Sequence, residues 1–89
     1  MLNQSDVNSA IFDAVRDFGR PYEGPVEFAK LESTSKAFYT ATFHDLRKGF
    51  SRASVFSVDV TITEESTLEA VREHLKGRLR RYIAENPVA

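Results

Sequence analysis

The chain has 89 residues, of which 42% are hydrophobic, 28% charged and 11% aromatic; this composition excludes a collagen-like, low-complexity or disordered chain and indicates one small globular domain. Twelve Lys and Arg against thirteen Asp and Glu give a net charge of -1, which excludes a bulk basic field for nucleic acid or anionic membrane. The absence of cysteine excludes disulfide frameworks, thiolate zinc sites and cysteine nucleophiles. Because no signal-peptide pattern or long apolar run occurs, we expect a cytoplasmic protein.

The first predicted element is an amphipathic helix. Ser5 is the expected N-cap, and Gly19 is the expected C-terminal stop. The apolar residues between them recur at helical spacing: Val7, Ile11, Ala14, Val15 and Phe18. Two prolines then break the chain, so we expect a loop over residues 19–25.

Three strands are predicted next. The first covers residues 26–32, where Lys30 and Leu31 break the alternation and indicate a bulge or a fraying edge. A turn is expected over residues 33–35, because serine and threonine favour turns. Residues 36–44 alternate as a second strand, and residues 55–62 give the clearest alternation of the three.

A second helix is predicted over residues 67–85. The sequence Ser66-Thr67-Leu68-Glu69 fits a capping box with Ser66 as the N-cap. The apolar stripe of the helix is Leu68, Val71, Leu75, Leu79 and Tyr82. The sequence therefore predicts a single α+β domain over residues 1–89, in the order α-β-β-β-α, with a three-stranded antiparallel sheet and both helices on one face.

This order of elements is similar to that of double-stranded-RNA-binding domains, and the resemblance in topology covers nearly the whole chain. The resemblance implies phosphate contacts by lysines at the start of the last helix. In this sequence residues 64–69 read Glu-Glu-Ser-Thr-Leu-Glu, which is the wrong charge for that contact.

Nucleic-acid binding is therefore the alternative interpretation, and it depends on a local basic patch. The candidate patch comprises Arg47, Lys48, Arg52, Arg78 and Arg81. The competing interpretation of the helix arginines is a solvated face near the negative end of the helix dipole.

No residue pattern points to catalysis. His44 and His74 are isolated in sequence and lack metal-ligand spacing, while Asp45 beside His44 is typical of a turn. We therefore expect a protein that is not an enzyme and that uses no metal or cofactor.

The remaining candidate is the face of the sheet that the helices leave open. Strand parity predicts that this face carries the candidate protein interface, which comprises Phe38, Thr40, Thr42 and Val55. The sequence thus favours a small protein-binding module, such as an inhibitor, adaptor or assembly factor, that docks another protein or a second copy of itself through this face or an edge strand. The competing interpretation is a threonine-rich face that contacts only water.

Overall fold

A computed structural model describes residues 1–18, 26–48 and 54–87. In chain order the elements are α1 (Gln4–Phe18), β1 (Val26–Ser35), β2 (Phe38–Asp45), a 3-10 helix (Leu46–Lys48), β3 (Val55–Thr61) and α2 (Leu68–Glu85). The predicted order α-β-β-β-α is confirmed. The predicted loop over residues 19–25 and the stop at Gly19 lie outside the described residues.

Helix α1 begins two residues earlier than predicted, because Asn3 rather than Ser5 caps it. The Asp6 backbone N–H donates to Asn3 Oδ1 at 2.9 Å, and the Asn3 N–H donates to Asp6 Oδ2 at 2.9 Å. This reciprocal pair satisfies two backbone groups at the helix start, so Ser5 lies inside the first turn. The buried face of the helix includes Val7 and Ile11, as predicted.

Helix α2 is capped by Thr67, and the prediction of Ser66 as its N-cap is wrong. Thr67 Oγ1 accepts from the Ala70 N–H at 3.1 Å, whereas Ser66 Oγ accepts from the Thr63 N–H at 2.9 Å. The preceding turn thus uses the Ser66 hydroxyl, and the next hydroxyl caps the helix. The predicted stripe is buried at Val71, Leu75 and Leu79, but Leu68 is exposed because it lies in the first turn.

The strands form one antiparallel sheet in the order β1-β2-β3. The predicted bulge is confirmed by a register shift between Phe28 and Lys30. The turn predicted at residues 33–35 is wrong, since pairing continues to Ser35 opposite Phe38 and the turn falls at residues 36–37. The Ser33 hydroxyl donates to the Ser35 carbonyl at 2.7 Å, and the Ser35 hydroxyl accepts from the Ala37 N–H at 3.4 Å.

The hydrophobic core lies between the sheet and the two helices, which both pack on the same face. Its sheet side includes Tyr39, Ala41, Phe43, Val58 and Val60, all buried. An aromatic row crosses the core through all five main elements, with consecutive ring centroids 5.5, 5.8, 5.5 and 3.7 Å apart: Phe12, Phe28, Phe43, Phe56 and Tyr82. Because both helices pack on the core face, no helix from the described parts of the chain covers the opposite face of the sheet.

Candidate functional site

The four residues predicted as a protein interface lie on the outward face of the sheet. Thr40 and Thr42 occupy the middle of β2, while Phe38 and Val55 stand toward opposite ends of the face. Val55 is 41% exposed, whereas Phe38 and Thr40 are half-buried and Thr42 is buried. The burial of Thr42 follows from its central strand, since Lys30 and Ser57 pair with it from both sides.

Polar cross-strand contacts fill the space between Phe38 and Val55. Thr40 Oγ1 donates to Asp59 Oδ1 at 3.2 Å, and the Thr42 and Ser57 hydroxyls are 3.5 Å apart. The middle of the outward face is therefore polar, and its apolar side chains do not form one continuous patch.

The free edge of β3 offers a different kind of binding surface. The Ile62 N–H donates to the Ala37 carbonyl at 2.7 Å, which makes residues 37 and 62 a hydrogen-bonded pair. Such pairs alternate along an antiparallel ladder, so the backbone groups of Ser57, Asp59 and Thr61 point away from β2. Within the ranges that the structure describes, no strand pairs with this edge.

Two cavities lie between β3 and helix α2, and His74 lines one of them. His74 Nε2 lies 3.1 Å from the Asp59 carbonyl oxygen, one of the backbone groups that point outward. On one side of His74 is a cavity of about 270 Å³, whose lining includes Val60, Thr61 and Ala70. The residues that line the two cavities are together called the β3–α2 groove: residues 56–61, Ser66, Ala70, Val71, His74, Arg78, Arg81, Tyr82 and Glu85.

The second cavity of the β3–α2 groove lies toward the C-terminal end of α2 and has a volume of about 260 Å³. The rings of Phe56 and Tyr82 stack at one side of it, with a 6° angle between their planes. Arg78, Arg81 and Glu85 line its helix side. This end of the groove thus combines aromatic surface with charged groups.

The structure describes the side chains of three of the five residues of the predicted basic patch. Arg78 and Arg81 are exposed on α2 and line the same cavity. Arg52 and the side chain of Lys48 lie outside the described part of the molecule. Arg47 reaches the C-terminal end of α2, where its NH2 group donates to the Asn86 carbonyl at 2.9 Å, but its other contacts make it part of a buried ion pair.

That ion pair joins Arg47 to Asp45, whose side chain is 0% exposed. Arg47 Nε donates to Asp45 Oδ1 and Arg47 NH2 to Asp45 Oδ2, both at 2.9 Å, and the Arg47 backbone N–H also donates to Oδ1. These hydrogen bonds from Arg47, with a further one from Tyr82, hold the pKa of Asp45 below its ordinary value, although burial opposes the shift. The same carboxylate raises the pKa of Arg47.

Arg81 is also paired. Its Nε donates to Glu85 Oε1 at 2.9 Å, and this hydrogen bond raises the pKa of Arg81. Arg78 forms no ion pair with a residue of the described ranges. The positive charge that remains available at this end of the groove therefore belongs mainly to Arg78.

Sequence reasoning missed three residues of this region. His74 was considered only as a metal ligand, Tyr82 only as a core residue, and Asp45 only as a turn residue. The Asp45 prediction holds in part, since the bond from the Arg47 N–H is a turn contact. The helical spacing of Ala70, His74 and Arg78 is a signal for a shared helix face, but nothing in the sequence places that face beside β3.

Two searches of the described residues give negative results. No group of three or more His, Cys, Asp or Glu side chains within them is arranged to hold a metal ion. None of the helices in this part of the chain is long and apolar enough to span a membrane.

Comparison with known proteins gives no further assignment: no model of a protein family, no curated protein and no solved structure matches this chain.

Proposed function

We propose that this protein is a non-enzymatic protein-binding module that docks a partner through the free edge of β3. The observation that carries the proposal is the set of outward-pointing backbone groups at Ser57, Asp59 and Thr61. Unpaired strand edges are sites where another chain adds by main-chain hydrogen bonding. Of these groups, the Asp59 carbonyl is in contact with His74 Nε2, and a partner strand would have to replace that contact.

The outward sheet face contributes a second contact in this proposal. Phe38 pairs with Thr61, so the half-buried Phe38 ring lies beside the end of the free edge. A partner that occupies the edge near Thr61 would extend onto this aromatic side chain. Phe38 then supplies apolar area next to a main-chain interface.

The nucleic-acid alternative has less support. Arg47 is the patch residue predicted to act together with the arginines of α2. It instead hydrogen-bonds to Asp45 and to the Asn86 carbonyl. Its side chain is only 22% exposed. Of the patch residues that the structure describes, only Arg78 and Arg81 are exposed, and Arg81 is paired with Glu85, so this described part is small compared with the six to ten phosphate contacts of a strongly salt-dependent DNA-binding protein.

The proposal is tested with substitutions at Ser57. Ser57→Pro removes the outward N–H without removing a backbone hydrogen bond to β2, and proline is tolerated at such edge positions; like the alanine control, it also removes the hydroxyl that contacts Thr42. Ser57→Ala is the matched control, because it removes only the hydroxyl. Tagged wild-type protein and both variants are used to capture proteins from extracts of the source cell, and the captured proteins are quantified by mass spectrometry.

We expect a set of proteins that the wild type and Ser57→Ala retain and that Ser57→Pro loses. Phe38→Glu should weaken retention of the same set, provided that circular dichroism shows a folded variant. Equal capture by Ser57→Pro and the wild type would overturn docking at this edge.

A further inference from the structure

We infer that the β3–α2 groove binds a single extended segment of a partner protein, one that carries an acidic side chain facing Arg78. The inference rests on the proposed function and adds the chemistry of the partner. The segment would lie as a fourth strand along β3, with alternate side chains directed toward α2.

The first support is the position of α2 relative to the edge. The Phe56 and Tyr82 rings stack with centroids 3.7 Å apart, and His74 contacts the backbone of Asp59. Helix α2 therefore stands above β3, and its flank forms one wall of the groove. A fourth strand placed about 4.8 Å beyond β3 would contact this flank.

The same position disfavours a second copy as the occupant. Pairing two β3 edges would place the two α2 helices about one strand spacing, roughly 5 Å, apart. Packed helices need axes about 8–10 Å apart. A single extended segment has no such helix above it, so it fits where a second folded copy does not.

The second support is charge. Arg78 is exposed and lines the cavity beside Phe56 and Tyr82, and it forms no ion pair within the described residues. Arg81 lines the same cavity, where its bond to Glu85 leaves the local balance at one positive charge. A carboxylate is the side chain that best complements a guanidinium, through charge-assisted and often bidentate hydrogen bonds.

The other edge of the sheet lacks these features. Strand β1 carries the bulge between Phe28 and Lys30, and Lys30 and Glu32 form an ion pair of 2.7 Å on it. Bulges and charges are the devices that block pairing at strand edges. Of the two sheet edges, β3 is therefore the one suited to an added strand.

The test is a selection from random peptides of about ten residues, the length of a long strand, displayed against the intact protein. We expect the selected peptides to be rich in residues that favour strands and to contain Asp or Glu more often than the starting peptides do. The affinity of selected peptides should fall roughly tenfold or more on Arg78→Glu, because an attractive charge pair becomes a repulsive one. Arg80→Glu makes the same charge change at an exposed residue outside the groove lining and should change affinity less than about twofold.

N-methylated versions of a selected peptide test strand addition without altering the protein. Methylation of alternate residues in one register should abolish binding, since it removes the N–H groups that face β3, while methylation in the other register should be tolerated. This measurement is independent of how well any protein variant folds.

The outcomes distinguish docking at the β3 edge from the preference for an acidic segment facing Arg78. Peptides that show the register effect but no acidic preference and no loss on Arg78→Glu would overturn this inference and leave edge docking intact. Peptides that bind without any register effect, or no enrichment of peptides at all, would overturn both. Displacement of the peptide by a single-stranded oligonucleotide that binds with steep salt dependence would assign the groove to nucleic acid and also overturn the inference.

Discussion

Asp45 joins the end of β2 to helix α2, two parts of the chain that lie far apart in sequence. It ends β2, accepts three hydrogen bonds from Arg47 after it, and contacts Tyr82 on α2. Arg47 in turn bonds to the carbonyl of Asn86 at the end of α2. The carboxylate therefore anchors the C-terminal end of α2 to the end of β2, beside the charged cavity of the β3–α2 groove.

Replacement of Asp45 tests this role. Asp45→Asn should lower the free energy of unfolding by about 2 kcal/mol at pH 7, because it leaves a largely buried guanidinium without its counter-ion. Urea denaturation measures the difference. Arg81→Gln is the control, since it breaks an exposed ion pair and should change stability little.

The ion pair between Asp45 and Arg47 predicts that the free energy of unfolding depends on pH. The pKa of Asp45 is lowered in the folded protein, so its contribution is fully present above the ordinary aspartate pKa of about 3.9 and is lost as the pH falls toward the lower folded value. The difference in unfolding free energy between wild type and Asp45→Asn should therefore narrow as the pH is lowered below about 4. A gap of constant size over this range would contradict the assigned ionic contact.

At the scale of elements, helix α2 contains a glycine, Gly77, at a position where the structure leaves room for a side chain. A Cβ atom added at Gly77 would meet no atom within 4 Å. Glycine inside a helix is less favourable than alanine by about 0.5–1 kcal/mol because of its backbone entropy.

Gly77→Ala should accordingly raise the free energy of unfolding by about 0.5–1 kcal/mol. Urea denaturation at neutral pH checks this value, and Ala70→Gly in the same helix should have the opposite sign. Destabilisation by Gly77→Ala would mean that the space beside this residue is occupied in solution.

The boundaries of the elements show where local sequence is ambiguous. Ser66 and Thr67 are adjacent hydroxyl residues, and only the bond from Thr63 to Ser66 decides that Thr67 caps α2. Asn3 and Asp6 form a reciprocal cap whose residues do not follow the expected Ser/Thr-to-Glu/Gln pattern. Which residue caps a helix depends on which of several neighbouring polar side chains is not already hydrogen-bonded elsewhere. The periodicity of apolar residues does not predict this.

At the scale of the whole molecule, the described surfaces favour a monomer. The middle of the outward face holds polar pairs such as Thr40 with Asp59, and α2 stands beside the free edge of β3. The melting temperature should therefore not change over about a hundredfold range of protein concentration. A rise with concentration, together with a dimer mass in sedimentation equilibrium, would show that this expectation is wrong.

The candidate site was predictable only in part from the sequence. Strand alternation correctly placed Phe38, Thr40, Thr42 and Val55 on one face, because side chains alternate strictly along a strand. It did not predict that the middle of this face would consist of cross-strand polar pairs, since those pairs depend on the register between strands.

The sequence by itself determined the order of elements and which residues of a strand share a face, because these follow from local periodicity of apolar residues. Tertiary structure decided which groups meet. Arg47 bonds to Asp45 and Asn86 rather than joining Arg78 and Arg81 as a free cation, and His74 contacts the Asp59 backbone. These contacts join residues from different elements, and their distances are set by how the helices pack on the sheet, which no local pattern encodes.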